Sequence, residues 1–193
     1  MNGARPAYTP DVIFAFVVGL VFGAADQYLG SLRPMLVLGT WTIPVSQMSA
    51  LWLIVPFLVG SRERSPRRAM VAGLVATAAG LVGYALMTAS PVENVPMHRA
   101  PAAVGAWAAA NLAVIVGGLV TGPLFGYLGH RWRVARSWAG VALLAGCLLF
   151  EPLARVFAGH LLAPTWIWVV ESALGVALGV AFVASRRWPA RTA

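Results

Sequence analysis

The sequence predicts an all-α membrane protein: one domain, residues 1–193, built as a bundle of six transmembrane helices with both termini in the cytoplasm. Three observations lead to this fold class. The chain is 60% hydrophobic and only 10% charged, whereas soluble domains carry roughly 25% charged residues. The apolar residues are gathered into segments long enough to cross a bilayer. The basic residues lie in short loops between those segments.

The six apolar segments follow one another along the chain, and each predicts one helix. They cover residues about 11–30, 45–60, 69–89, 102–127, 138–158 and 165–185. We interpret the first as a membrane helix and not as a signal peptide, because it is long, contains Asp26 and lacks a small-residue cleavage site. Residues 31–44 are themselves apolar and are expected to form either a re-entrant or an interfacial segment. Pro56 is expected to kink the second helix.

The arginines predict the orientation, since short cytoplasmic loops collect positive charge. All fourteen basic residues are arginine, and eleven lie at the termini or in the loops after the second and fourth helices. Only Arg33, Arg99 and Arg155 lie toward the other side. The predicted location is the inner (plasma) membrane, crossed several times. Without lysine, Schiff-base chemistry is excluded, and arginines confined to short loops argue against nucleic acid as a partner.

Small residues recur at four-residue spacing on several helices and predict close helix contacts. On the first helix they are Ala15, Gly19 and Gly23. Similar rows occur on the fourth and sixth predicted helices. Two interpretations stay open for the row on the first helix: tight packing within the chain, or an interface for a partner membrane protein.

Polar side chains inside the predicted helices fall toward one side of the membrane. Because the helices alternate in direction, these residues lie in the outer halves, and the cytoplasmic halves contain little beyond small hydroxyls such as Thr77 and Thr121. We therefore predict a water-accessible pocket that opens outward and is closed below by packed small residues. The candidate ligand-binding residues are Asp26, Gln27, Tyr84, Trp107, Asn111, Glu151, Arg155 and Glu171.

The spacing of Glu151 and Arg155 is i, i+4, so both face the same side of one helix. They form an internal salt pair, serve a ligand, or do both, because an arginine held by one acid keeps further donors for an anionic group. The N-terminal dipoles of helices that begin at this face also favour an anionic or electron-rich group. The alternatives are interfacial capping for Asp26 and a hydrogen bond to a neighbouring helix for Glu171.

Motifs for metals, nucleotides and nucleophiles are missing from the sequence. The three histidines are scattered without HxxxH or HxxE spacing, and the loop residues Glu93, His98 and His160 are expected to be solvated. There is no P-loop, GxGxxG or GxSxG sequence, so neither a cofactor nor a metal is expected. Cys147 is the single cysteine and cannot form an internal disulfide.

The chain length, the six predicted helices and the outward pocket resemble the S components of energy-coupling factor (ECF) vitamin transporters. The order GLVFGAAD, a long outer loop and SALWLIVPFLVGSRERSPRRAMVAGLVA is similar to the thiamin-precursor type. In detail the chain resembles a family of small six-helix membrane proteins from high-GC bacteria, through GLVFG, ALWLIVPFLVG, GPLFGYLGHRWR and the glutamate of LLFEPL. The resemblance implies a vitamin or metal bound near the outer face and a coupling subunit contacting the first helix. AADQYLG replaces the tryptophan-rich thiamin motif, so no particular substrate is implied.

Three functions are compatible with these features. The first is a substrate-binding or transport subunit, whose partners are a small-molecule ligand, membrane lipid, and a transmembrane coupling subunit with its ATPases. The second is an intramembrane enzyme, such as a terpenoid cyclase or isomerase, with Asp26, Glu151 and Glu171 as acids and Trp107 or Tyr84 stabilising a carbocation. The third is a scaffold without a ligand. We favour the first, which needs no catalytic motif and is not an enzyme.

Overall fold

A computed structural model of the protein describes residues 9–32 and 41–187, and within these ranges every regular element is a helix. The predicted all-α class is therefore confirmed. The helices are α1 (Thr9–Ser31), α2 (Thr42–Ser46), α3 (Ser49–Ser61), α4 (Pro66–Thr88), α5 (Ala100–Ala110), α6 (Leu112–Ala135), α7 (Ala139–Phe157) and α8 (Trp166–Arg187). Two turns of 3-10 helix, Pro91–Glu93 and Met97–Arg99, lie in the loop between α4 and α5.

Five of the described helices are long and apolar enough to cross a membrane, which marks the chain as a membrane protein. They are Asp11–Ser31, Pro66–Thr88, Leu112–Ala135, Ala139–Phe157 and Trp166–Ala184. The second predicted segment, 45–60, is instead divided into α2 and α3, and α3 has 13 residues. Such a helix is about 20 Å long, which is less than the roughly 30 Å hydrocarbon core of a bilayer. The sixth crossing and the orientation of the termini stay predictions.

The fourth predicted segment, 102–127, is divided at Asn111 into α5 and α6. Asn111 has φ −113° and ψ 20°, and its side-chain amide donates to the Trp107 carbonyl at 2.9 Å. Side-chain bonds of this kind compete with regular helix. α6 then continues to Ala135 and ends where Arg136 adopts a left-handed conformation. Of the linker 31–44, residues 33–40 lie outside the described part of the chain.

The centre of the bundle is α4, which contacts α1, α3 and α6. Its small residues are buried, with Ala69, Ala72 and Ala76 at most 1% exposed, because each neighbouring helix lies close to its backbone. α3 also packs against α6, whereas α7 pairs with α8 and contacts α3 and α6 more sparsely. The pairing is thus interleaved along the chain: α1 with α4, and α3 with α6.

Glycines permit the closest of these approaches. A Cβ added at Gly19 or Gly23 would collide with the backbone of α4 at Ala76 or Gly80, so α1 and α4 are in backbone contact. Ala15, on the same face of α1, is fully buried. The predicted close helix contact is therefore present, and it is a contact within the chain. This corrects the interpretation of these three residues as a partner interface, because α4 already covers the face.

The helices alternate in direction, so the bundle has two chemically different ends. We call one the carboxylate end, where Asp26, Glu151 and Glu171 lie. The other is the arginine end, formed by the loops around residues 62–68 and 131–136. Contacts along the bundle agree with this division, since the end of α1 meets the start of α3 at the carboxylate end, and the ends of α3 and α6 meet at the arginine end.

Polar contacts hold the arginine end together. Glu63 is 4% exposed and His130 6%, and Nδ1 of His130 lies 2.9 Å from the Glu63 carbonyl oxygen. Arg133 donates hydrogen bonds to the carbonyl oxygens of Ser61 and Arg62, at 3.1 and 3.0 Å. A cation bonded to the last carbonyls of a helix stabilises its C-terminus, so Arg133 joins the end of α6 to the end of α3.

Candidate functional site

A cavity of about 320 Å³ lies at the carboxylate end, where each of α1 to α7 contributes to its wall. Much of the wall is apolar, with Leu53, Leu81 and Val114 among its residues. The polar and aromatic side chains in it are Asp26, Ser46, Gln47, Ser49, Trp52, Thr77, Tyr84, Trp107, Asn111, Thr121 and Arg155. A mainly apolar cavity with a small number of convergent polar groups is the usual form of a small-molecule site.

The cavity ends where α4 and α6 come together. Toward the arginine end, a Cβ added at Gly122 or Gly126 would meet the backbone of α4 at Gly73 or Ala69. Nearer the carboxylate end, a Cβ added at Gly118 would meet only side-chain atoms of α4, and Gly118 itself lines the cavity. The two helices therefore diverge toward the carboxylate end, and the cavity occupies the space between them.

Asp26 is placed in the cavity wall by α1, one turn beyond Gly23. Its side chain is 5% exposed, and its Oδ2 accepts a hydrogen bond from the indole N–H of Trp52 at 3.1 Å. Within residues 9–32 and 41–187 no other group donates to this carboxylate. A buried carboxylate with a single donor is costly in a low-dielectric site. Its Oδ1 is therefore available to a group that enters the cavity.

Three aromatic side chains form a row along the cavity. The ring centroids of Trp52 and Tyr84 are 6.2 Å apart, and those of Tyr84 and Trp107 are 5.5 Å apart in a stacked arrangement. Phe22 supports the row by meeting the Trp52 ring edge-on at 5.2 Å. The rings come from α3, α4 and α5, so contacts between helices fix the row before any ligand is present.

Glu151 and Arg155 form a salt pair at the edge of the cavity, with 2.8 Å between Arg155 Nη2 and Glu151 Oε1. The two Glu151 oxygens also accept hydrogen bonds from the backbone N–H groups of Ser49 and Ala50, at 3.0 and 3.2 Å. Glu151 therefore caps the start of α3. Arg155 donates in addition to the Gln47 carbonyl oxygen. Two of the N-terminal amides of α3, expected to favour an anionic ligand group, are thus already occupied by Glu151.

Glu171 lies in α8 and is fully buried. The charges of Glu151 and Arg155 both act on it. Neither side-chain oxygen of Glu171 has a hydrogen-bond partner in the described part of the chain. Glu171 does not line the cavity. It forms a closed cluster with the salt pair.

The structure brings part of the predicted site together around one cavity. The predicted ligand-binding residues that line it are Asp26, Tyr84, Trp107, Asn111 and Arg155. They come from α1, α4, α5, the break before α6, and α7, so residues that are far apart in sequence meet at similar depth. This is the arrangement expected from the one-sided placement of polar residues along the helices.

Three predicted residues lie outside this cavity wall. The side chain of Gln27 donates a hydrogen bond to Glu93 Oε1 at 3.0 Å. Glu93, which the sequence predicted to be solvated, is therefore half-buried and bonded to α1. Glu151 is directed to the start of α3, and Glu171 is enclosed beside it. These residues hold the helices that form the cavity, and they reach a ligand only through their neighbours.

Several lining residues were missing from the sequence prediction, among them Trp52 and Thr77. Trp52 bonds Asp26, and a signal for it existed: it and Trp107 are the tryptophans that lie well inside predicted helices, away from the aromatic belts at their ends. Thr77 is 5% exposed, and its Oγ1 has no hydrogen-bond partner among the described residues. No local signal marks Thr77, because hydroxyls inside helices commonly bond their own backbone.

Comparison with known proteins gives one match. A protein-family model described as a family of unknown function (DUF6518) matches residues 3–193. Neither a curated protein nor a solved structure matches the chain. The resemblance to ECF S components therefore receives no support from these comparisons.

Proposed function

The chain belongs to DUF6518, and from that premise we propose that it captures a small organic molecule within the membrane, in the cavity at the carboxylate end. The cavity is the observation that carries this proposal. Its volume of about 320 Å³ lies at the lower end of the roughly 300–1,000 Å³ that is usual for ligand sites. Its wall combines apolar side chains, a row of aromatic rings and one carboxylate that lacks a cationic partner among the described residues.

The closed floor of the cavity supports a role in transport. Backbone contacts of Gly122 and Gly126 with α4 close it toward the arginine end, so a ligand enters and leaves near the carboxylate end in this conformation. A capture subunit of the S-component type needs such a one-sided site. A coupling subunit with ATPases would be its partner, and it would have to bind a surface other than the Gly19–Gly23 face of α1.

The arginine distribution supports an orientation with the carboxylate end outside an inner membrane and both termini in the cytoplasm. In this proposal α3 forms the sixth crossing, because it runs between the same two ends of the bundle as its neighbours, although it is short.

Cysteine labelling in a Cys147→Ala background tests this orientation. A cysteine at Met97, which is 72% exposed, should react with an impermeant reagent in intact cells. A cysteine at Ser65 should not, and the reverse pattern overturns the orientation.

The placement of the acids favours binding over the alternative of an intramembrane cyclase or isomerase. Of the three acids proposed for such an enzyme, Asp26 alone lines the cavity. Glu151 is bonded to Arg155 and to the start of α3, and Glu171 is enclosed. An acid–base catalyst must reach the atom that it protonates, so two of the three acids would need to move.

Two glycines on α6 allow a sharp test of the cavity. Gly118 lines it, whereas a Cβ added at the neighbouring Gly117 would meet nothing within 4 Å. The protein would be prepared in lipid nanodiscs and titrated with benzyltrimethylammonium, benzyl alcohol and phenylacetate, while tryptophan fluorescence is recorded. Trp52 and Trp107 report on the cavity. We expect at least one probe to change the fluorescence of wild type and of Gly117→Leu, and Gly118→Leu to abolish that change.

The comparison of the two variants decides the outcome. Both add the same side chain to the same helix, so an unspecific effect on α6 or on lipid contact should appear in both. Saturable responses that are equal in Gly118→Leu and wild type would place the probes elsewhere and refute the proposal. Absence of any saturable response in wild type up to millimolar concentration would also count against it.

A further inference from the structure

We propose that the cavity selects an organic cation, an amine or quaternary ammonium carried on an apolar or aromatic body. This inference rests on the proposed function and adds the class of ligand. It depends on the charges that face the cavity and on the row of aromatic rings. Each of these is a separate feature of the described residues.

Negative charge in the cavity wall is not balanced. Asp26 is 5% exposed and has Trp52 as its one hydrogen-bond donor among the described residues. Glu93, which is bonded to Gln27, and Arg99 both lie in the loop between α4 and α5, and neither lines the cavity. A buried carboxylate without a counter-charge is unfavourable, and a cationic ligand next to Oδ1 would supply that charge.

Among the described residues, the cavity wall has one cationic side chain, and its charge is already balanced. Arg155 pairs with Glu151 at 2.8 Å, donates to the Gln47 carbonyl oxygen, and has its guanidinium carbon 4.8 Å from the centroid of the Trp168 ring. The backbone N–H groups of Ser49 and Ala50 at the start of α3 are bonded to Glu151 as well. Glu151 therefore offsets both of these positive features, whereas Asp26 has no such partner. On this ground the proposal replaces the sequence-based expectation of an anionic group by that of a cation.

The aromatic row supplies a second attraction for a cation. Trp52, Tyr84 and Trp107 all line the cavity, with centroid separations of 6.2 and 5.5 Å between neighbours. Ring faces carry negative electrostatic potential and attract ammonium groups within about 6 Å of the centroid. Because Trp52 also bonds Asp26, the carboxylate and the rings form one continuous surface.

Thr77 lies at the deep end of the cavity. It lines the cavity at 5% exposure, and its Oγ1 is buried without a hydrogen-bond partner among the described residues. A Cβ added at Gly118 would lie 3.2 Å from the methyl carbon of Thr77, whereas one added at Gly122 would lie 2.6 Å from Oγ1. The hydroxyl therefore faces the closed floor, and the methyl group faces the cavity.

The three probes of the previous experiment differ in charge and test this inference directly. In nanodiscs of neutral phosphatidylcholine, benzyltrimethylammonium should bind wild type at least tenfold more tightly than benzyl alcohol or phenylacetate does. Asp26→Asn keeps the shape and removes the charge, and it should weaken binding of the cation tenfold or more while leaving that of benzyl alcohol within twofold. Trp107→Leu is the second variant, and it should weaken the cation several-fold even if Asp26→Asn does not fold.

Failure of this inference is distinguishable from failure of the proposed function. If phenylacetate or benzyl alcohol binds best, and Gly118→Leu abolishes that binding, the cavity is a ligand site but not a cation site. If affinity for the cation is unchanged in Asp26→Asn or, where that variant does not fold, in Trp107→Leu, the inference is also overturned. If Gly118→Leu affects no probe, the proposed function itself fails.

Discussion

The contact between α4 and α6 is tight in one half of the bundle and open in the other. Toward the arginine end, the helices touch through Gly73, Gly122 and Gly126, and an added Cβ would strike backbone. Toward the carboxylate end, the same helices present larger side chains, among them Tyr84, Leu81 and Val114, and a cavity of about 320 Å³ separates them. One pair of helices is therefore closed at one end and open at the other.

The difference shows how a small membrane protein forms a cavity without an inserted domain. Between helices in lipid, small residues let backbones approach closely, and the association depends on close packing because lipid and side chains are equally apolar. Where the small residues end, the helices must separate. The carboxylate half then needs other contacts to hold it, and these are the hydrogen bonds of Glu151, Arg155 and Trp52 across helices.

The largest expected effect comes from breaking the closed half. Gly126→Leu should lower the free energy of unfolding by more than about 3 kcal/mol, because overpacking of ordinary cores costs about 1–3 kcal/mol and here the colliding atoms are backbone atoms of α4. The measurement is the thermal midpoint of unfolding in detergent. Gly117→Leu, whose added side chain enters open space, is the matched control and should differ little from wild type. Equal loss in both would show that bulk on α6, and not the contact, is responsible.

The next effect tests what holds the open half. Glu151→Ala should cost about 3 kcal/mol, because it leaves Arg155 unpaired and the start of α3 uncapped. Glu151→Gln keeps one carbonyl acceptor and the side-chain shape, so it should cost about 1 kcal/mol. Unfolding free energies in mixed micelles, measured for both variants, decide this. The expectation fails if the two variants lose the same stability.

A smaller effect is expected inside the cavity. Trp52→Phe keeps an aromatic ring and removes the donor to Asp26. We expect this change to lower the free energy of unfolding by about 1.5 kcal/mol, the lower end of the usual range for a hydrogen bond to a charged group. A double-mutant cycle with Asp26→Ala, which removes the acceptor, isolates the interaction. A coupling energy near zero would mean that the carboxylate is held by other contacts, and the cavity would then need a different description.

The smallest effect concerns Glu63 at the arginine end and depends on pH. Burial raises the pKa of Glu63 above its ordinary 4.5, and the carboxylate of Asp11 raises it further, against opposing effects of Arg68 and His130. A carboxyl group with a raised folded-state pKa contributes stability below its ordinary pKa, and that contribution is lost as the pH rises through the folded value. Glu63→Gln should therefore be slightly more stable than wild type near neutral pH, with a difference that disappears toward pH 4.5 in thermal unfolding scans. A difference that grows on acidification contradicts this sign.

The sequence predicted those features of the protein that depend on the order of apolar and polar residues within one segment. Hydropathy marks the long helices, and the depth of polar residues along them placed Asp26, Tyr84 and Trp107 near one another. Segment 45–60 was less accurate at its start, because the polar residues Ser46 and Gln47 were counted into the helix, whereas α2 ends at Ser46 and α3 begins at Ser49.

Contacts between distant segments account for what sequence did not predict. The bonds of Glu151 to the start of α3 join residues 102 and 101 positions apart, and no spacing rule relates such positions. For the same reason the row of small residues on α1 predicted a close contact but not its partner. Whether Gly23 meets another protein or Gly80 of the same chain depends on which helices are neighbours.

The interleaved pairing of helices has a consequence for biosynthesis. α1 packs against α4 and hardly against the intervening α3, so its glycine face has no partner when it first enters the bilayer. Gly80 is synthesised roughly 60 residues after Gly23, which at about 5–20 residues per second takes on the order of 3–12 s. During that interval α1 exposes a row of bare backbone to lipid or to the insertion machinery, and Asp26 has no donor until Trp52 of α3 has been made. The nascent chain therefore has to retain α1 near the site of insertion until α4 arrives, and premature release would leave its glycine face without a partner.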